Sequence, residues 1–231
     1  MDFIFMLTHG DETIPNCLEV LDIVDEIGIS HIGFKDIGVD KIMLRTLAGR
    51  INETGATSYL EVVSTTLADV QESIQSAVDL GINRVLGGQD IDFALKVLEG
   101  TGAGYYPFPG RPVGHPTRLG GTPEEIEDDC ARMLAAGCPG VDLLAYRATQ
   151  ADPLDLVRAA RSGLGGGYLI VAGSVDSPAR IRQLTEAGAD AFTIGSAVFD
   201  GAFAAGDKSI VFQCQEILAA CNPANKAAGP E

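Results

Sequence analysis

Two stretches near the end of the chain, Ile170-Val171-Ala172-Gly173-Ser174 and Thr193-Ile194-Gly195-Ser196, decide the fold. Each is a short apolar run of strand length that ends in glycine and serine before a segment with helical character. A strand, a turn and a helix form one βα unit. Two such units in succession indicate a repeated, parallel architecture.

Glycines that follow amphipathic segments recur along the rest of the chain, as in Asp25-Glu26-Ile27-Gly28 and Thr185-Glu186-Ala187-Gly188. Glycine commonly ends a helix because it adopts the left-handed conformation without a Cβ clash. These glycines are separated by about one strand-helix unit, and apolar runs of strand length follow them. The eight strand candidates are residues 3–8, 32–36, 58–63, 84–88, 104–108, 141–146, 168–173 and 191–195.

Eight strands that alternate with helices predict an α/β protein whose parallel sheet closes into a (β/α)₈ TIM barrel. The chain has 231 residues, close to the roughly 250 that are typical of this fold. We predict a single barrel over residues 1–221 and a flexible C-terminal tail over residues 222–231. A doubly wound open sheet is the alternative that the same alternation allows.

Composition excludes several classes of function. A formal net charge of −16 and the lack of a Lys/Arg cluster argue against nucleic acid as a partner. No apolar run approaches the roughly 20 residues of a membrane span. The first residues carry an acid where a secretory signal carries base, so a cytoplasmic location is expected. The five cysteines include no Cys-x-x-Cys pair, which predicts free thiols rather than disulfides or zinc ligands.

One segment breaks the repeat. Residues 107–121 contain four prolines and four glycines, and they precede a helix start at Thr122-Pro123-Glu124-Glu125. Connections of this length in a compact domain are usually functional or disordered. We predict a long structureless loop after strand 5 that covers the mouth of the barrel; a rigid interface loop is the alternative.

The two glycine-serine pairs are the strongest chemical signal. Glycine lets a backbone approach an anion, and amides at the start of a helix point toward it. In a barrel, the loops after strands 7 and 8 frequently bind phosphate. We therefore predict a phosphate cradle formed by Gly173, Ser174, Gly195 and Ser196, although glycine-serine is also a common turn without a ligand.

At these residues the chain resembles the ribulose-phosphate-binding barrel superfamily, which includes isomerases, epimerases and decarboxylases of phosphorylated metabolites. The close similarity covers residues 168–203, and the remainder agrees in its periodic plan. The resemblance implies a phosphorylated substrate held by the cradle, without fixing the reaction. The Asp-x-Lys-x-x-Asp motif of the decarboxylase branch is absent, as are the paired histidines of the metal-dependent epimerase branch.

Lys35 and Glu61 are the leading candidates for chemistry, because each lies in an apolar strand and adjacent strands bring them together. Burial prepares a lysine to act as a base or as a Schiff-base amine. The alternative is an ion pair that only fills the barrel. Asp36 should face away from Lys35, since successive residues of a strand alternate, and it is expected to orient its neighbours.

Three further residues follow strand ends. His9 is a candidate acid or base, because histidine changes charge near neutral pH. Gln89 and Arg147 are candidate substrate-binding residues, and a guanidinium binds anions in a bidentate manner. An ordinary surface role is the alternative for His9 and for Arg147.

We therefore expect an isomerase or epimerase of a small phosphorylated, sugar-like carbonyl compound, with proton transfer by Lys35 and Glu61. A lyase of aldolase or decarboxylase type, in which Lys35 forms an imine, is the first alternative. A non-catalytic sensor of a phosphorylated metabolite is the second. No cofactor and no metal are expected, since the sequence has no His-x-His or His/Asp ligand cluster. The substrate, the stereochemistry and assembly into a homo-oligomer stay open.

Overall fold

The computed structural model describes residues 1–64, 66–204 and 206–221. The predicted tail over residues 222–231 lies outside the described part of the chain. Within it the strands are β1 Asp2–Met6, β2 Thr8–His9, β3 Glu12–Thr13, β4 His31–Lys35, β5 Thr57–Val62, β6 Arg84–Gly87, β7 Gly104–Tyr106, β8 Arg111–Val113, β9 Arg118–Gly120, β10 Gly140–Leu143, β11 Tyr168–Val171 and β12 Ala191–Ile194.

Helices alternate with the strands as the glycine pattern predicts. They are α1 Cys17–Glu26, α2 Lys41–Thr54, α3 Leu67–Asp79, α4 Ile91–Leu98, α5 Pro123–Ala136, a 3₁₀ turn Ala145–Arg147, α6 Pro153–Leu164, α7 Pro178–Ala187, α8 Ser196–Phe199 and α9 Ile210–Cys221. The start predicted for α5 is confirmed, because Thr122 and Glu125 form a reciprocal capping box. No helix among these is long and apolar enough to cross a membrane.

Eight parallel strands form one sheet in the order β10-β11-β12-β1-β4-β5-β6-β7. The two ends of this sheet approach each other, and the amide of Asp142 in β10 donates a hydrogen bond to the carbonyl of Pro107 after β7 at 3.1 Å. The sheet is thus a nearly closed barrel, and the predicted (β/α)₈ fold is confirmed.

Apolar residues pack on both sides of the sheet. The larger cluster lies between the strands and the surrounding helices. A smaller one consists of Ile4, Met6, Tyr59, Leu86, Tyr106, Ile170 and Ala191. The Arg84 guanidinium lies 4.6–5.7 Å from the ring centres of three tyrosines, Tyr59, Tyr106 and Tyr168. Arg84, Tyr59 and Tyr168 are at or near the starts of their strands, so this group of side chains lies toward the amino-terminal end of the barrel.

The prediction of a structureless segment over residues 107–121 is wrong. Strands β8 and β9 pair antiparallel there, and we call these residues the mouth hairpin. Gly110 and Gly114, both with positive φ, permit its turns. Gln89 Nε2 donates hydrogen bonds to the carbonyls of Phe108 and Gly110 at 3.1 and 2.9 Å. These bonds attach the mouth hairpin to the carboxyl end of β6. This is the end of the barrel at which the segment was predicted to cover the mouth.

A second short hairpin, β2-β3, lies directly after β1 and was not predicted. Its two central residues, Gly10 and Asp11, both have positive φ, at 60° and 73°. This geometry is typical of the tightest hairpin turn. The turn brings Asp11 back over the carboxyl end of the barrel, next to Lys35.

Candidate functional site

A cavity of about 430 Å³ opens at the carboxyl ends of the barrel strands. The four predicted cradle residues Gly173, Ser174, Gly195 and Ser196 line it, and so do Lys35, Glu61, Arg147 and Asp11. The structure therefore brings the predicted phosphate cradle and the two leading candidates for chemistry to one pocket.

Lys35 and Glu61 are direct neighbours because β4 and β5 pair in parallel with these two residues in register. Lys35 Nζ lies 3.4 Å from Glu61 Oε1. Only 3% of Lys35 and 4% of Glu61 is exposed. Lys35 Nζ also contacts the carboxylate of Asp11, so that the ammonium is held between two acids.

Asp11 joins Lys35 to Arg147. The Arg147 guanidinium donates two hydrogen bonds to the Asp11 carboxylate, both at 2.8 Å, in the bidentate arrangement that suits these groups. Burial alone would raise the pKa of Asp11, but the hydrogen bonds from Arg147 and the charge of Lys35 lower it well below its usual range. Arg147 is thus paired with Asp11 within the protein.

Asp142 in β10 is more deeply buried than Lys35, Glu61 and Asp11. It is 0% exposed, and neither carboxyl oxygen has a hydrogen-bond partner among the described residues. Burial, and next the negative charge of Glu61, raise the pKa of Asp142 well above its usual value, although Lys35 and Arg147 oppose the shift. The neutral form of Asp142 is therefore favoured by its position near Lys35 and Glu61.

The cradle itself is built from backbone. Gly173 and Ser174 both have positive φ, at 78° and 59°, and a Cβ at Gly173 would lie 2.4 Å from Arg147 Nε. Among the hydrogen bonds of the described chain, none is donated by the amides of Ser174 and Val175. These two residues line the cavity, so their amides are available to an anion.

The second half of the cradle is packed against the β2-β3 hairpin. A Cβ at Gly195 would lie 2.4 Å from Thr8 Oγ1 and 2.6 Å from the Thr8 carbonyl oxygen. The Ser196 hydroxyl accepts a hydrogen bond from the amide of Gly10 at 3.0 Å. The backbone at Gly195 therefore approaches β2 more closely than any other residue type permits.

One detail of the predicted cradle is wrong. Gly195 directly precedes α8, but Gly173-Ser174 does not directly precede a helix. Helix α7 begins at Pro178, because the Ser177 hydroxyl accepts from the amide of Arg180 and caps it. On that side the cavity is lined by loop residues Gly173, Ser174 and Val175 rather than by the first residues of a helix.

The remaining candidates lie elsewhere. Asp36 faces away from Lys35, as expected, and its carboxylate accepts hydrogen bonds from the amide of Val63 and from the hydroxyls of Ser64 and Ser73. His9 is half exposed, and its Nε2 lies 3.0 Å from Asp200 Oδ1. Neither Asp36 nor His9 is among the described residues that line the cavity. Gln89 holds the mouth hairpin and lines a neighbouring cavity.

Asp142 is the member of the cluster that the sequence reasoning missed, whereas Asp11 was noted among the polar residues that follow strand 1 but was given no role. For Asp142 the signal was present, because Val141-Asp142-Leu143 places an acid inside an apolar strand, as Leu60-Glu61-Val62 does. For Asp11 the signal was the Gly10-Asp11 turn. No group of three or more His, Cys, Asp or Glu residues in the described ranges is arranged to hold a metal ion.

No family model matches the sequence, and no curated protein matches it. Solved structures match at the level of the fold. A 3-hexulose-6-phosphate synthase is 18% identical with a TM-score of 0.65, over 95% of this chain and 99% of that one. Orotidine 5'-phosphate decarboxylase from Pyrococcus horikoshii OT3 is 12% identical with a TM-score of 0.63, over 95% and 98%. A native KDPGal structure is 15% identical with a TM-score of 0.67, over 99% and 96%.

These matches confirm the fold that the resemblance to ribulose-phosphate-binding barrels implies. Two of the matching proteins are named for phosphorylated compounds.

Proposed function

We propose that the protein is an enzyme that moves a proton next to the carbonyl group of a small phosphorylated compound. The observation that carries the proposal is the shared cavity, in which the cradle and the buried Lys35-Glu61 pair face the same space. A phosphate bound at one wall holds the rest of the molecule over the ionic cluster at the other. Fixing a substrate in this way removes much of the entropy cost of reaction.

The roles follow from the charges. The Lys35 ammonium donates a hydrogen bond to the substrate carbonyl oxygen and stabilises the negative charge that develops there. Glu61, 3.4 Å from Lys35 Nζ, accepts the proton from the neighbouring carbon. Asp11 is a positioning residue, since it holds Lys35 on one side and Arg147 on the other. Isomerisation is complete when Glu61 returns the proton to the former carbonyl carbon and the proton of the adjacent hydroxyl passes to the former carbonyl oxygen. Epimerisation instead requires that water deliver a proton to the opposite face of the same carbon.

Phosphate recognition in this proposal depends on backbone amides. The two cations at the cavity, Lys35 and Arg147, are already paired with Asp11. Amides at Ser174 and Val175 supply hydrogen bonds without adding a charge that would compete for those acids.

A lyase is the second candidate, and the names of two matching structures, a synthase and a decarboxylase, favour it. The isomerisation and a lyase reaction next to a carbonyl both pass through an enolate that the Lys35 ammonium would stabilise. An imine mechanism requires an unprotonated amine, whereas Lys35 Nζ is held in two ion pairs. The arrangement therefore favours enolate chemistry over an imine, whichever bond breaks. A sensor would need the cradle but not the buried cluster.

Proton exchange tests the proposal directly. Phosphorylated aldoses and ketoses of three to six carbons are incubated with the protein in D₂O, and loss of the C–H signal beside the carbonyl is followed by NMR. Exchange that disappears in Lys35→Met and persists in Lys41→Met supports the proposal. Lys41 is the matched control because it forms an exposed ion pair with Glu72. Borohydride reduction with substrate present should leave no mass on Lys35, and a stable adduct there would establish the imine mechanism instead.

A further inference from the structure

A second cavity, of about 530 Å³, opens beside the cradle cavity. Val62 in its wall directly follows Glu61, and the Thr117 carbonyl in its wall accepts a hydrogen bond from Arg147 at 3.4 Å. No described residue lines both cavities, but adjacent residues of β5 and the hydrogen-bonded pair Arg147 and Thr117 place them side by side at the carboxyl end of the barrel. In the strand order, β5 and β6 are opposite the cradle strands β11 and β12, so this cavity lies across the mouth from the phosphate site.

The walls of this cavity are mainly apolar. They are formed by the ends of β5 and β7, the start of α3 and the mouth hairpin, and their apolar side chains are Val62, Val63, Leu67, Val70, Phe108, Pro112 and Val113. Leu67 is 64% exposed and Val113 is 60% exposed, among the most exposed large apolar residues of the described chain. Two such side chains at the rim of one concave site are unfavourable in water unless a ligand covers them.

Three of the four hydrogen-bonding side chains in the same walls, Ser64, Gln89 and Asp90, already form hydrogen bonds within the protein. Gln89 Nε2 donates to two carbonyls of the mouth hairpin. The Ser64 hydroxyl donates to Asp36, and the Asp90 carboxylate accepts from Gln71. No Lys, Arg or His is among the described residues that line the cavity. It therefore offers little to a second phosphate or to a row of sugar hydroxyls, which need unpaired donors and acceptors.

We propose that this cavity is a subsite for an apolar group of ring size, carried by the substrate at the end away from its phosphate. The inference rests on the proposed function for the phosphate end, and it narrows the substrate class. The substrate is then a phosphorylated carbonyl compound with an aromatic or branched aliphatic group, rather than a plain sugar phosphate. A volume of about 530 Å³ is within the range of about 300–1,000 Å³ usual for small-molecule sites.

Binding of simple phosphate esters tests the subsite without knowledge of the substrate. Calorimetry would compare inorganic phosphate with 2-phenylethyl and 4-phenylbutyl phosphate, and with neutral 4-phenylbutanol. The variants are Leu67→Asn and Val113→Asn, alone and combined. Ile42→Asn is the matched control, because Ile42 is 78% exposed and is not among the residues that line either cavity. All three positions are exposed enough to leave the fold intact.

We expect at least one phenylalkyl phosphate to bind tenfold or more tightly than inorganic phosphate. The combined variant should lose that gain while its affinity for inorganic phosphate stays unchanged, and Ile42→Asn should behave as wild type. An equal gain in the combined variant, or no gain at either chain length together with no binding of 4-phenylbutanol, would overturn the subsite.

The neutral alcohol separates the two proposals. If 4-phenylbutanol binds and the combined variant weakens it, the subsite is supported even where inorganic phosphate fails to bind, and only the proposed function is overturned. If inorganic phosphate binds while both esters bind no more tightly and the alcohol does not bind, the phosphate site stands and the subsite is wrong.

Discussion

Replacing Lys35 by methionine removes the one ammonium that lies between Asp11 and Glu61. Methionine replaces the four-carbon stem of lysine by an unbranched apolar chain of similar length and lacks only the terminal ammonium, so the main change is electrostatic. Asp11 keeps its two hydrogen bonds from Arg147. Glu61, which is 4% exposed, is left without the ammonium. The cost therefore falls mainly on Glu61.

Breaking a buried ion pair by removing one partner costs about 3–5 kcal/mol, because the other charge stays buried. Since only Glu61 loses its partner, we expect the lower end, about 3 kcal/mol, which at about 2–4 °C per kcal/mol lowers the melting temperature by about 6–12 °C. Loss of a positioned acid or base also lowers the rate by about 10²-fold or more. The control Lys41→Met removes an exposed pair, for which about 0–1 kcal/mol is expected.

The double variant Lys35→Met/Glu61→Gln separates structure from chemistry, because it removes the uncompensated charge. Thermal melting should recover most of the lost stability, while the exchange rate with the substrate should stay at least 10²-fold below wild type. Recovery of both stability and turnover would refute the reasoning and leave an ion pair that only fills the barrel. Full turnover in Lys35→Met itself would do the same.

Three further predictions address the rest of the site. The pKa of Asp142 is raised in the folded protein, so above about pH 4 the native state still holds a proton that the unfolded state has released. The free energy of unfolding should therefore fall as the pH is raised above about 4. Asp142→Asn should remove the contribution of Asp142 to this fall, as measured by chemical denaturation at a series of pH values. The same dependence of the free energy of unfolding on pH in the variant and in the wild type would contradict the prediction. Gly173→Ala should weaken binding of inorganic phosphate, and it should destabilise the protein more than Gly28→Ala does. Both glycines have φ near 75°, but only a Cβ at Gly173 would meet Arg147. Equal effects of the two substitutions in calorimetry and thermal melting would count against the cradle. Gln89→Leu removes both hydrogen bonds that hold the mouth hairpin, and hydrogen exchange there should become faster, whereas unchanged protection would show that other contacts hold it.

The fold was predictable because its signals are local. A glycine that ends a helix and an apolar run that follows are each visible within a few residues, as at Gly188 and Ala191–Ile194. The Lys35-Glu61 contact was predictable for a related reason. Neighbouring strands of a parallel sheet have a fixed spacing, and the two residues occupy the same level in β4 and β5.

Asp142 was not identified because its contribution depends on closure of the barrel. Strand β10 approaches β7 at the end of the sheet, so the acid is near Lys35 and Glu61 only across the interior. The local pattern Val141-Asp142-Leu143 shows a buried acid but not which residues surround it. The partner of Arg147 was missed for a different reason. Asp11 lies 136 residues away along the chain, and it reaches the guanidinium only because the Gly10-Asp11 turn folds it back over the barrel.

The charges of the cluster favour backbone amides for the proposed phosphate site. Lys35 and Arg147 carry two positive charges, and Asp11 and Glu61 carry two negative charges. These four charges are balanced, and ionisation of the buried Asp142 would add an excess negative charge, which is one reason why its pKa is raised. A phosphate held by either cation would take it from its carboxylate and leave a buried acid unpaired. In the proposed site, backbone amides at the cradle would bind the anion without disturbing this balance, and the cluster would stay assembled around the reacting carbon.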